Sequence, residues 1–214
     1  MLFTTFAFGQ YISVDDIEKA LENEMKSKST DIKTMAKSIA EEIPLDKNGG
    51  FTCVSIVETP GKTKDQLYVM LNAWFLKVFD GKGIQMNDKD LGCIMAQERI
   101  YKITSNGKGF TSSNHNYEVD IMPTIRTDIK DGKIRITYNV PCYEVRDMTR
   151  ALLVKNKSGK KSFSDTFPYN PKGPDKKMMA RALVFTHYYS VLIVRDIENA
   201  VKEGVVGNEA DDNW

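Results

Sequence analysis

Residues 117–142 carry two stretches of strict alternation joined by Asp131-Gly132, and no other feature restricts the fold as much. In the first, Tyr117, Val119, Ile121, Ile125 and Ile129 alternate with Glu118, Asp120, Thr124, Arg126 and Asp128. In the second, Ile134, Ile136, Tyr138, Val140 and Cys142 alternate with Lys133, Arg135, Thr137 and Asn139. A period of two belongs to a strand with one buried face. Asp-Gly is a preferred two-residue hairpin turn, since glycine reaches the left-handed backbone at little cost. Pairing across it sets Ile129 opposite Ile134 and Asp128 opposite Arg135, so pattern and turn agree on register. The expectation is an antiparallel sheet with one face on a core and one wet. Cys142 falls on the apolar face with Tyr138 and Val140, opposite Ile121.

A half-buried sheet needs a cover, and residues 60–92 supply one. Leu67, Met70, Leu71, Trp74, Phe75, Val78 and Phe79 recur at helical spacing and give a broad apolar stripe with Trp74 near its middle. Thr63 with Gln66 three residues on is a capping box, and Gly81 and Gly83 end the helix. The expected core is Leu67, Leu71, Trp74, Phe75 and Val78 from this helix with Ile129, Ile134 and Tyr138 from the hairpin. Residues 51–57 read as a first strand, 84–86 as a short one before the turn 87–90, 92–103 as a longer one and 146–154 as a short helix. Asp88 and Asp90 lack the further acidic ligands, glycine and closing glutamate of a calcium loop, so they read as a solvated turn.

The remaining chain is helical or loop-like. Ile17, Leu21, Met25, Ile32, Met35, Ile39 and Ile43 form a thin seam, broken at 27–31 and stopped by Pro44. Residues 174–204 read as a long helix whose middle, 182–194, is apolar almost all round, so it is buried on several sides or forms a contact surface. His187, Tyr188 and Tyr189 in that middle are the candidate groove contacts. Between them, 155–177 holds seven lysines interleaved with Phe163, Phe167 and Tyr169 and reads as a solvated Lys-rich loop. The expected organisation is a signal segment at 1–9, a helical appendage at 10–46, an α+β domain at 47–154, that loop, and a C-terminal helix at 178–214 packing on the domain.

Leu2-Phe3-Thr4-Thr5-Phe6-Ala7-Phe8-Gly9 is apolar, stops at Gln10, and places Ala7 and Gly9 where a signal peptidase requires small residues. It reads as a truncated signal peptide, its basic start lying upstream of Met1, with an apolar strand as the alternative. Export, to the periplasm or outer envelope, is the expectation. No other run reaches the length of a membrane span. Cys53, Cys93 and Cys142 are far apart and lack metal or redox spacing, so three free, mostly buried thiols are expected.

Several motifs together resemble a known family: Lys62-Thr63-Lys64-Asp65-Gln66-Leu67-Tyr68, the Trp74-Phe75 pair, Ile84-Gln85-Met86-Asn87-Asp88-Lys89 with Gly92, and Asp131-Gly132-Lys133. They are similar to domain-of-unknown-function family 4468, found in exported proteins of Bacteroidetes. The resemblance covers roughly residues 51–145. It implies a fold like the TATA-binding protein, a curved antiparallel sheet backed by helices, and it brings no catalytic residues.

The functional expectation is a binding or interaction module of the bacterial envelope without catalytic activity. The alternative is a carrier for a small apolar ligand, held between the sheet and the last helix. Nothing points to an enzyme: His115 and His187 are the two histidines, and no nucleophile elbow, phosphate loop, zinc motif or dinucleotide fingerprint is present. No catalytic, cofactor or metal residues are assigned. With 30 basic against 29 acidic residues the net charge is +1, and Glu118, Asp120 and Asp128 offset Arg126, Lys133 and Arg135, so a nucleic-acid partner is not expected.

Overall fold

The computed structural model describes residues 14–105, 117–148 and 158–203. In chain order these form α1 (Val14–Ser27), α2 (Ile32–Glu42), β1 (Phe51–Glu58), α3 (Lys64–Phe79), β2 (Ile84–Asp88), β3 (Cys93–Gln97) and β4 (Ile100–Ser105). There follow β5 (Tyr117–Ile121), β6 (Thr124–Lys130), β7 (Lys133–Val140), β8 (Tyr143–Asp147), β9 (Ser158–Lys161) and α4 (Lys176–Glu203).

The hairpin of β6 and β7 has the register its turn dictates, with Ile129 facing Ile134 and Asp128 facing Arg135. Gly132 takes a φ of +73°. Around it a five-stranded antiparallel sheet runs in the order β1-β7-β6-β3-β2, and a second sheet runs β4-β5-β8-β9. The chain passes between the sheets three times, from β3 to β4 at Glu98-Arg99, from β5 to β6 at Met122-Pro123 and from β7 to β8 at Pro141-Cys142. Because β3, β6 and β7 are neighbours in one sheet and their continuations β4, β5 and β8 are neighbours in the other, the two form one curved antiparallel layer.

The strands correct five expectations. The single strand expected at 92–103 is two strands in different sheets, and so is the alternating stretch 117–129. Proline stands in two of the crossings, where a missing N–H ends a ladder. Cys142 lies in the third crossing and not on the hairpin face; Ile121 faces Tyr143 instead. The expected short helix at 146–154 is contradicted at its start, since Arg146 and Asp147 end β8, and 149–157 lie outside the described residues. The Lys-rich loop likewise contains β9, paired to β8, and a 3-10 turn, Phe163–Asp165. Its aromatics are core: Phe163 is buried with its ring 4.2 Å from that of Tyr143 and 6.0 Å from that of Phe51, and Phe167 is buried too.

α3 starts and stops as its sequence requires. Thr63 Oγ1 accepts the Gln66 N–H at 3.3 Å, and Gln66 Oε1 accepts the Thr63 N–H at 2.9 Å. The Lys64 N–H donates to Asp131 Oδ1 at 2.7 Å, tying the helix start to the hairpin turn. Gly92 explains itself here: its φ is +65°, and a Cβ would stand 2.5 Å from Lys64 Cε and 2.8 Å from the Ile129 carbonyl. Leu67, Leu71, Trp74 and Phe75 are buried with Ile129, Ile134 and Tyr138, and Val78 is half-buried against them. Trp74 also donates its indole N–H to Asp196 Oδ2 at 2.7 Å, which joins α3 to α4.

α4 is covered on several sides, by α1 and α2, by α3 and by strands β4 and β1, which accounts for its apolar middle. The N-terminal seam is split where expected, with Asp31 capping α2 through the N–H groups of Lys33 and Thr34. It packs Ile17, Leu21, Ile32, Ala36 and Ile39 into the shared core. Cys53, Cys93 and Cys142 are free; Cys93 is buried and the others half-buried, and burial raises all three thiols. Among the described residues no helix is long and apolar enough to cross a membrane.

On the wet face Asp128 accepts from Arg126 (2.9 and 2.7 Å) and from Arg135 (3.1 and 2.8 Å). Burial works to raise its carboxyl, but these guanidinium bonds outweigh it and hold the group below the usual carboxylate range. Such a carboxylate stabilises the fold above its unfolded value near 3.8 and loses that contribution as pH falls through the lower folded value. In denaturant titrations Asp128→Asn should therefore be less stable than the parent at neutral pH, and should decline less steeply below about pH 4. Parallel curves would contradict these bonds.

Candidate binding groove

α1 and α2 lie across α4 and leave a groove of about 370 Å³ between the two layers. Its apolar lining is Met35 and Ile39 of α2 with Leu192 of α4, and Val191 of α4 stands at its exposed edge. Its rim is polar, with Glu24, Lys28, Thr34, Ser38 and Glu42. Helical spacing produces this division: 35 and 39 stand one turn apart, as do 34, 38 and 42 on the adjoining stripe. Lys28, just past the end of α1, is ion-paired to Glu24 in its last turn.

His187 and Tyr188 line the groove, but Tyr189 does not. Tyr189 is buried in the core, its ring 6.2 Å from both Tyr138 and Phe185. The ligand space expected between sheet and last helix differs in place from this groove, which lies between α4 and the N-terminal helices; Phe51, Tyr138, Phe163 and Phe185 are packed core. His187 sits with its ring 6.5 Å from Phe51 and 6.0 Å from Tyr188, and its Nδ1 is buried with no hydrogen-bond partner. Burial lowers the His187 pKa; Glu42 and Glu24 act against this with less effect. The ring is therefore neutral at pH 7, and stability falls as pH drops from 6.5 through the lower folded value, because the unfolded ring takes its proton first. An NMR titration of the imidazole should give a midpoint below 6.5; one above it would mean the two glutamates dominate.

Sequence reasoning missed a second cluster. Asp120 is fully buried; its Oδ1 accepts the Lys102 N–H at 2.8 Å and an Arg146 Nη2–H at 2.9 Å. Arg146 Nε lies 2.8 Å from Asp120 Oδ2 in an ion-pair contact without hydrogen-bond alignment. Arg99 bonds Glu144 and lies 3.7 Å from Asp120, and Arg146 reaches Glu118 at 3.1 Å. Both guanidiniums stand over the Tyr101 ring, 5.8 and 5.6 Å from its centre. Every carboxylate here is taken by a cation, so none stands free as a general base. His115 lies outside the described residues. Among the described residues no group of three or more histidines, cysteines or carboxylates is placed to hold a metal ion.

The match to a family model falls within the two sheets and α3. No curated protein matches the chain. Two solved structures resemble it: a TBP-like protein from Parabacteroides distasonis, at 17% identity over 73% of this chain and 95% of that one with a TM-score of 0.49, and a DUF4468 family protein from Bacteroides ovatus, at 13% identity over 74% and 90% with a TM-score of 0.50. Every groove residue lies outside residues 54–143, the segment that matches the family model. That segment, from β1 to the first residue of β8, matches the domain of unknown function DUF4468 with its TBP-like fold.

Proposed function

We propose that this chain is an exported, non-catalytic binding module whose site is the groove between α4 and the α1–α2 pair. The observation that carries this reading is the groove itself: about 370 Å³, apolar-lined and polar-rimmed, with a neutral histidine whose buried nitrogen has no partner. Small-molecule sites span roughly 300–1,000 Å³ and combine an apolar lining with a few polar groups that fix orientation. The occupant is a small molecule with an apolar body. Export is supported by the apolar run ending at Gly9, with Ala7 and Gly9 at the cleavage positions. A nucleic-acid role is disfavoured because Arg126 and Arg135 on the wet sheet face are both committed to Asp128.

Native mass spectrometry of the chain purified from its own cells tests the groove. A bound small molecule is expected, and it should be lost in Val191→Trp, which fills the groove from a position 40% exposed and so leaves the core intact. A chain carrying no added mass, or the same mass in both proteins, would overturn the reading. The N-terminus found in the same measurement should be Gln10, and a mature chain retaining Leu2 to Gly9 would refute export.

A further inference from the structure

We infer that β1 pairs with β1 of a second copy, joining two five-stranded sheets edge to edge. This inference stands apart from the groove. The register of β1 with β7 is unbroken from Phe51–Val140 to Glu58–Lys133, and just beyond it the Thr59 N–H donates to the Gly132 carbonyl at 2.7 Å. Hydrogen bonding alternates along an antiparallel strand, so the odd-numbered residues of β1 bond to β7. Thr52, Val54, Ile56 and Glu58 accordingly direct their N–H and C=O groups to the other side. Among the described residues no strand occupies that side. The same residues carry the wet-face side chains, and Val54 and Ile56 are 59% and 63% exposed.

Edge strands are normally blunted by proline, lysine, a bulge or brevity. β1 has none of these over its eight residues, and its one charge, Glu58, stands at the end. A second copy fits this edge better than other strands because β1 complements itself. A two-fold axis through Ser55 sets Val54 opposite Ile56 of the second copy and Thr52 opposite its Glu58. The backbone groups left open then meet as hydrogen-bonded pairs, the two exposed β-branched side chains cover each other, and each Glu58 faces Thr52, whose hydroxyl is held by Asp46 and Asn139, instead of its own twin. Centring the axis on Ile56 would place Val54 against Glu58, and a slip of one residue in the pairing would turn the apolar pair to the wrong face.

Sedimentation of the full chain across a concentration series tests this, with amide exchange read at β1. The expected result is a reversible dimer, with slowed exchange at Val54 and Ile56 that fades on dilution. Ile56→Lys changes an exposed side chain, and Val54→Pro removes an N–H that β7 does not use; each should weaken the dimer at least about tenfold. Unchanged circular dichroism in either variant separates loss of the contact from loss of the fold. A chain monomeric up to about 1 mM, or a dimer that neither variant weakens, would overturn the inference. So would β1 protection that appears only when cell extract is added, which would give the edge to a foreign strand.

Discussion

Trp74→Ala should destabilise the fold by about 3–5 kcal/mol, the usual cost of removing a large aromatic side chain from a packed core. The ring is 4% exposed, edge-on to Phe75 at 5.0 Å and to Phe79 at 6.1 Å, so its removal leaves a void that two neighbouring rings border. Its N–H reaches Asp196 Oδ2 at 2.7 Å, and truncation also strips that carboxylate of its donor. Trp74→Phe separates the two contributions, since it keeps most of the apolar volume and deletes the hydrogen bond. A loss of about 1.5–3 kcal/mol is expected for it, in the range of a bond to a charged group. Equilibrium denaturation reads both. A cost below about 1 kcal/mol for the alanine variant would mean that α3 is not a principal cover of the sheet.

The hairpin and α3 were legible because each is specified locally and twice: the first by alternation and Asp131-Gly132, the second by a helical stripe and the Thr63–Gln66 box. The bend of the layer was only partly legible. Ile121 and Ile125 keep the same phase across Met122-Pro123, so the pattern runs through the crossing, and Pro123 alone marks it. At Pro141-Cys142 the phase does slip, from Val140 to Tyr143, and that slip is a readable signal of the break. The groove was half legible. The apolar middle of α4 pointed to His187 and Tyr188, but periodicity cannot say which side of a helix apolar all round meets a neighbour and which stays open. The rim from α2 follows from how the N-terminal helices dock, and only tertiary contact decides that. Asp120 reads as wet in the sequence for a related reason: its cover comes from Arg99, distant in sequence, and from Arg146 on a strand where the sequence suggests a helix.

Asp120→Ala should cost about 2–4 kcal/mol. Removing one partner of a buried ion pair costs about 3–5 kcal/mol, and the lower figure here allows for guanidiniums still 29% and 25% exposed. Two losses combine. Arg99 and Arg146 keep Glu144 and Glu118 but lose the buried carboxylate between them. The Lys102 N–H loses its acceptor at a residue held at φ +51°, within a register shift between β4 and β5, where a side chain other than glycine is strained by about 1–2 kcal/mol. Asp120→Asn keeps an oxygen for that N–H while removing the charge, and should cost less than the alanine change. Lys102→Gly should then restore part of the stability of Asp120→Ala, by relieving backbone strain that the missing acceptor no longer offsets. The double variant distinguishes the two roles. Recovery larger than the gain from Lys102→Gly alone assigns Asp120 to holding the Lys102 backbone as well as neutralising the arginines; with no such excess, and an asparagine variant as unstable as the alanine one, the ion pairs would carry the whole effect.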